Sequence, residues 1–335
     1  MSRRKGWLIG GAVFLCVLMG TVLWQIGRTG ETVPEYVLNY AENQTADYPT
    51  TLGAYRFAEL VERQTNGRIK VIVQPEAELG AEKEVLRQMK YGGIDFARIS
   101  LSQLAELIPE MNALQMPYLY RDSTHMWEVL SGEIGDYFLE KAGEVGLVGL
   151  SWYDAGVRNF YTSQKQITCL EDLQGMTIRV QESDMMADMV EALGATAVQI
   201  AYSEVYSSIQ LGEVDGAENN WPSYKAMNHD EVAKYYTVDE HTRVPEMQLV
   251  SAHTWEKLSE EDQEIILECA KESARLERRL WKLQEKQSQE KAVKNGTVVI
   301  EISDEEKERF RAAVEPVYQK YCGEYMDIIE RIREL

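Results

Sequence analysis

Gly175-Met-Thr-Ile-Arg-Val-Gln-Glu-Ser183 is the stretch whose reading decides the fold. A glycine opens it, and residues 176–180 are predicted to form a short strand. Four of those five residues are strand formers or flexible apolar groups. The exception is Arg179, a cation where the chain must bury at least one face. A buried guanidinium needs an anion or a dense set of acceptors, and it matches a carboxylate in planar, two-pronged fashion. That anion belongs either to the protein or to a ligand.

Working outward, strands and helices alternate. A helix is predicted over 183–193, a strand over 197–200, a helix over 203–210 ending at Gly212, then a strand entered through Val214-Asp-Gly-Ala-Glu218. Upstream, strands are expected at 36–40, 69–73, 94–99 and 147–153, with helices at 50–65 and from Leu79-Gly80 to Lys90. Such alternation predicts mostly parallel sheets flanked by helices. Gly92, Ile94, Asp95 and Ala97 align at one constant offset with Gly212, Val214, Asp215 and Ala217. Together with the glycine-led strands at Gly67 and Gly175, this suggests two lobes of similar construction. Residues 254–294 read as mainly helical, long enough to brace both lobes. A strand is predicted over 298–302 and amphipathic helix to the end of the chain, with Ser303 and Glu306 as a capping box.

The 335 residues suffice for two such lobes. Lysine plus arginine total 35 against 55 aspartate plus glutamate, a net charge of −20, which argues against a nucleic-acid partner. Arg3, Arg4 and Lys5 precede an uncharged run over 7–26, long enough to span a bilayer, so residues 1–30 read as an export signal or membrane anchor with the rest of the chain outside. Past Cys16, the odd set Cys169, Cys269 and Cys322 is neither a disulfide framework nor a metal pattern. No nucleophile elbow, zinc-protease, phosphate-loop or dinucleotide motif occurs, and His125, His229, His241 and His253 lack ligand spacing. No catalytic residue, metal site or cofactor is expected.

What remains are polar residues where strands exit, the place where open α/β sheets bind ligands. Arg179 is one. Arg158 lies just beyond the strand ending near Tyr153, and Asn219 just beyond Glu218. The competing reading for either arginine is an internal ion pair, with Asp215 and Glu218 as candidate partners for Arg179.

At these residues the chain resembles the extracytoplasmic solute-binding subunits of TRAP transporters, the DctP type, from about Tyr36 to Tyr321. The motifs are Asn66-Gly-Arg-Ile69, Leu79-Gly80 before a helix, Gly93-Ile-Asp95, Gly156-Val-Arg-Asn-Phe160, residues 175–180 and Gly212-Glu-Val-Asp-Gly-Ala-Glu-Asn219. The resemblance implies a two-lobed, hinged, periplasmic-binding-protein-like fold. Lobe I would take residues 31–153 and about 243–285, lobe II 154–242 and about 286–320, and a C-terminal helix 321–335. It implies capture of a small organic acid and delivery to TRAP membrane subunits outside the cytoplasm, or, as an alternative, a tethered receptor lobe for a signalling partner. Arg179 matches the arginine that pairs the ligand carboxylate. Arg158 and Asn219 match assisting positions, and Glu82, Asn43 and Gln44 match first-lobe contacts. Tyr48-Pro49 stands where many relatives have His-Pro. Arg98 is an unusual occupant of a first-lobe strand end and is expected to add a hydrogen bond or a second anion contact. The 42–44 loop, Glu82 and Arg98 favour a uronate or aldonate over a plain dicarboxylate.

Overall fold

The computed structural model describes residues 33–335, so the leader read at residues 1–30 lies outside the described residues. Two mixed sheets form two lobes. The first has the order β2 (Ile69–Gln74), β1 (Tyr36–Ala41), β3 (Phe96–Ser100), β10 (Glu246–Ser251), β4 (Leu147–Tyr153). The second has the order β11 (Val298–Glu301), β9 (Tyr235–Thr242), β5 (Arg158–Thr162), β8 (Gly216–Asn219), β6 (Thr177–Val180), β7 (Thr196–Gln199).

Most strands of each sheet share one direction, as expected, and each sheet carries one strand against it. β10 is antiparallel to β3 and β4, and β5 is antiparallel to β8 and β9. The cause is connectivity. β4 ends at the gap between the lobes and passes directly into β5, which therefore enters lobe II from the end where its neighbours finish. β9 returns into β10 the same way. The two links run side by side, because Tyr153 pairs with Glu246 at one end and Arg158 with Thr242 at the other.

The internal repeat has a physical counterpart. Asp95 accepts from the Asn39 backbone N–H at 2.8 Å, and Asp215 accepts from that of Thr177 at 2.8 Å. In both lobes one aspartate thus ties its strand to the neighbouring one. Gly92 and Gly212 both take left-handed φ values, +71° and +72°, that L side chains rarely adopt. The Gly67–Gly175 match is corrected, since β6 occupies the place of β1 in its sheet, whereas Gly67 precedes β2.

A helix over Glu260–Lys294 is the third crossing. Ser259 caps its start through the Asp262 N–H. Ile266, Cys269 and Ala270 join Phe57, Leu60 and Val61 in the lobe I core, while Ala292 joins Tyr224 and Tyr236 in that of lobe II. Two C-terminal helices, Asp304–Cys322 and Met326–Glu334, follow. Phe310, Val314 and Cys322 sit in a cluster that includes Met116 and Leu119 from the first half of the chain and Met185 and Met189 from lobe II. Cys169, Cys269 and Cys322 are free thiols. No helix among the described residues is long and apolar enough to cross a membrane.

Candidate functional site

Arg179 occupies the penultimate position of β6, flanked by β7 and β8. Its Nε and Nη2 both donate to the Ile200 carbonyl, at 2.9 and 2.7 Å, just past the end of β7. The side chain is 1 % exposed, and Nη1 has no partner among the described residues. Burial depresses its pKa, although nearby Glu218 opposes the shift. Neither internal candidate neutralises it. Asp215 is occupied at the start of β6 by Thr177, and Glu218 forms its ion pair with Arg158.

Arg158 is therefore not the free donor that sequence suggested. It begins β5 and does not lie in a loop. Its Nε bonds the Glu218 carboxylate, Nη2 reaches Glu218 Oε1 at 2.8 Å, and Nη1 donates to Asn219 Oδ1 at 3.1 Å. Asn219 is the last residue of β8, and these bonds use its oxygen, leaving its amide nitrogen outside them.

Behind this pair lies His241, 3.3 Å from Glu218 through Nε2 and 2.8 Å from Asp239 through Nδ1. Alternating charges thus run inward from the cleft floor through Arg158, Glu218, His241 and Asp239. Burial pushes the imidazole pKa down, but the two carboxylates, Asp239 foremost, outweigh it and raise it to about 9. Burial likewise pushes Glu218 up, and Arg158 and His241 outweigh that to hold it at about 2.

A pH dependence follows. The ordinary histidine pKa is about 6.5, and a folded-state value above it stabilises the protonated fold. This contribution is complete below about pH 6.5 and is lost as pH rises through about 9. Thermal melts between those limits should show wild type losing more stability with rising pH than His241→Gln. Parallel curves would contradict the imidazolium.

The facing wall belongs to lobe I and is acidic. Arg98, on β3, is buried among three carboxylates. It pairs with Glu42, with Glu82 at 2.9 Å and with Glu246 at 2.7 Å, and it also donates to Asn43. The second anion contact expected of Arg98 is thus corrected, because its donors are already met by acid side chains. Glu82 also accepts from the Ser100 backbone N–H at 2.9 Å. Gln44 donates its backbone N–H to Glu42 at 3.0 Å.

Between the walls lies a cavity of about 300 Å³, lined by Asn43, Glu82 and Gln103 from lobe I and Arg179, Gln181 and Tyr202 from lobe II. A narrower space of about 30 Å³ borders the same Asn43, Glu82, Gln181 and Tyr202 and adds Gln44, Arg98, Arg158 and Asn219. All seven residues singled out from sequence line one or both spaces. Gln181 Oε1 and Thr50 Oγ1 are buried without partners, as is Arg179 Nη1. Unmet buried donors and acceptors around these two adjoining spaces fit a polar, oxygen-rich molecule.

The lobes touch across this space. The Tyr48 hydroxyl lies 2.8 Å from Ser223 Oγ, Gln103 donates to the Glu182 carbonyl at 2.9 Å, and Gln181 donates to Ser100 Oγ at 3.1 Å. Tyr48, the departure from His-Pro, is therefore a bridge between the lobes. Tyr202 and Thr50 were missed by sequence reasoning. Their one available signal was position, shortly after β7 and after the loop that leaves β1.

Two facing lobes, three crossings and a polar cleft with an unsatisfied cation define a solute-binding protein of the hinged type. The chain belongs to the bacterial extracellular solute-binding protein family 7 (DctP), whose model matches residues 40–324. It is a TRAP-type extracytoplasmic solute-binding protein. A solute-binding protein of Chromohalobacter salexigens is 33 % identical over 288 residues, covering 86 % of this chain and 85 % of that protein. Among solved structures, a TRAP periplasmic solute-binding protein from Bradyrhizobium sp. BTAi1, in complex with α/β-D-galacturonate, is 38 % identical with a TM-score of 0.87, covering 89 % of this chain and 99 % of that one. One from Pseudomonas putida F1, with bound D-glucuronate, is 36 % identical with a TM-score of 0.87, covering 89 % and 97 %.

Proposed function

We propose that this protein binds a hexuronate or closely related acidic sugar and delivers it, unchanged, to TRAP membrane subunits. The observation that carries the reading is the buried, unpaired Nη1 of Arg179 lining a polar cleft. The sugar carboxylate would meet that guanidinium, and the hydroxyls would meet Gln181, Asn219, Glu82 and the 43–44 loop. Arg158 and Arg98 act indirectly, the first by orienting Asn219, the second by holding Glu82 and Asn43 in place. The uronates held by similar structures support the ligand class. Residues 3–26, basic and then apolar, would direct export or hold the protein at the outer face of the cell membrane.

Ligand binding to the folded state raises the melting temperature by mass action, about 2.7 kcal/mol at a hundredfold excess over Kd. D-Glucuronate or D-galacturonate should therefore raise it by several degrees, while malate and a branched keto acid should not. A shift produced by malate or the keto acid alone would refute the uronate assignment.

A further inference from the structure

The two ends of the cleft carry opposite charge. At the lobe II end, Arg179 is the single cationic side chain lining the larger cavity, and no carboxylate of the described residues pairs with it. Arg158 lines the narrower space but is matched by Glu218. At the lobe I end, Arg98 faces Glu42, Glu82 and Glu246, so three carboxylates against one guanidinium leave two negative charges in excess when all are ionised. Their side chains are 0 %, 13 % and 11 % exposed, so water screens them weakly. Glu76 and Glu182 add further negative charge along the larger cavity.

We propose that this acidic cluster is a charge filter, which admits acidic sugars carrying one carboxylate and rejects those ionised at both ends. The inference rests on the uronate reading and adds what that reading leaves open, namely what the far end of the sugar must be. Glu82 is the one of the three that borders both spaces, so a second acid group in either would meet it, beside Glu246 in the narrower space and Glu76 and Glu182 in the larger. Neutral hydroxyls donate to such carboxylates, whereas a terminal carboxylate has no proton to give and meets like charge. This makes the far end a test for a missing charge as well as for hydrogen-bonding groups.

The groups facing Glu82 are Arg98 and the Ser100 N–H on β3, Glu42 and Asn43 after β1, Glu246 on β10, and Arg179, Glu76 and Glu182 around the cavity. Burial raises the Glu82 pKa to about 7, with Arg98 opposing and Glu246 reinforcing the shift. Acidification therefore adds a proton at the filter and should loosen it, while both sugar carboxylates stay ionised.

Calorimetric titration of the whole protein with D-glucuronate and with D-glucarate, the same carbon chain oxidised at its other end, tests the proposal. At pH 8, glucarate should bind at least about tenfold more weakly. The gap should narrow at pH 6 and in Glu82→Gln. Glucarate binding as tightly as glucuronate at pH 8 would overturn the filter and leave the uronate reading standing. Binding of neither would overturn both. If Glu82→Gln does not fold, the wild-type pH series decides alone, and a gap unchanged between pH 8 and pH 6 counts against the filter.

Discussion

Arg179→Ala should cost about two to four orders of magnitude in affinity for a uronate. A hydrogen bond to a charged group is worth about 1.5–3 kcal/mol, and a two-pronged contact holds two of them, or about 3–6 kcal/mol, with each 1.4 kcal/mol a factor of ten. The fold should survive the change, since it removes a buried charge paired with no carboxylate of the described residues, at the cost of one bonded pair of donors on the Ile200 carbonyl. Lysine should rescue little. Nε and one N–H of Nη2 are engaged by Ile200 while Nη1 and the second N–H of Nη2 remain as a pair for the ligand, and an ammonium cannot divide itself between those directions. Titration calorimetry, with an unliganded melt as control, reads both effects. An Arg179→Ala protein that keeps affinity within tenfold of wild type would remove the clamp.

Glu218→Ala should destabilise the fold by about 3–5 kcal/mol, the usual cost of breaking a buried ion pair from one side. It strands Arg158 and takes one of two carboxylates from His241, which keeps Asp239. The loss should be smaller at high pH, where the imidazolium has given up its proton. Urea unfolding at pH 7 and near pH 9.5 measures it, and a loss below about 1 kcal/mol would show that solvent or rearrangement satisfies the two cations.

Much of the fold was legible because its elements obey simple periods. β4 ends where its apolar run ends, and β1, β2 and the helices on either side of β7 lie within a residue or two of expectation. The misses share a cause. β5, β9 and β10 were not recognised as strands, and they carry Arg158, Asp239, His241, Glu246 and Gln248, all buried. Their partners lie mostly on other strands, Glu218 for Arg158 and His241, Arg98 for Glu246 and Ser151 for Gln248, so a hydropathy pattern reads them as surface loop when they are satisfied interior. The same limit applies to the site. Spacing placed Arg158, Arg179 and Asn219 at strand ends, but it could not say which arginine Glu218 would take. Glu218 lies on β8, which pairs antiparallel with β5 directly and brings it opposite Phe160, beside Arg158. Glu246 reaches Arg98 from 148 positions away, a distance over which no local signal survives.

The reversed strands β5 and β10 have a consequence for biogenesis. For a chain exported N-terminus first, the sheet of lobe I cannot close when β4 has emerged, because the strand that belongs between β3 and β4 arrives only after the whole of β5 to β9. That slot stays open until Glu246–Ser251 arrives, leaving the facing edges of β3 and β4 unpaired. A truncated product ending in lobe II would therefore contain no finished lobe at all. In both lobes, therefore, closure of the sheet waits on chain from beyond the first link between them.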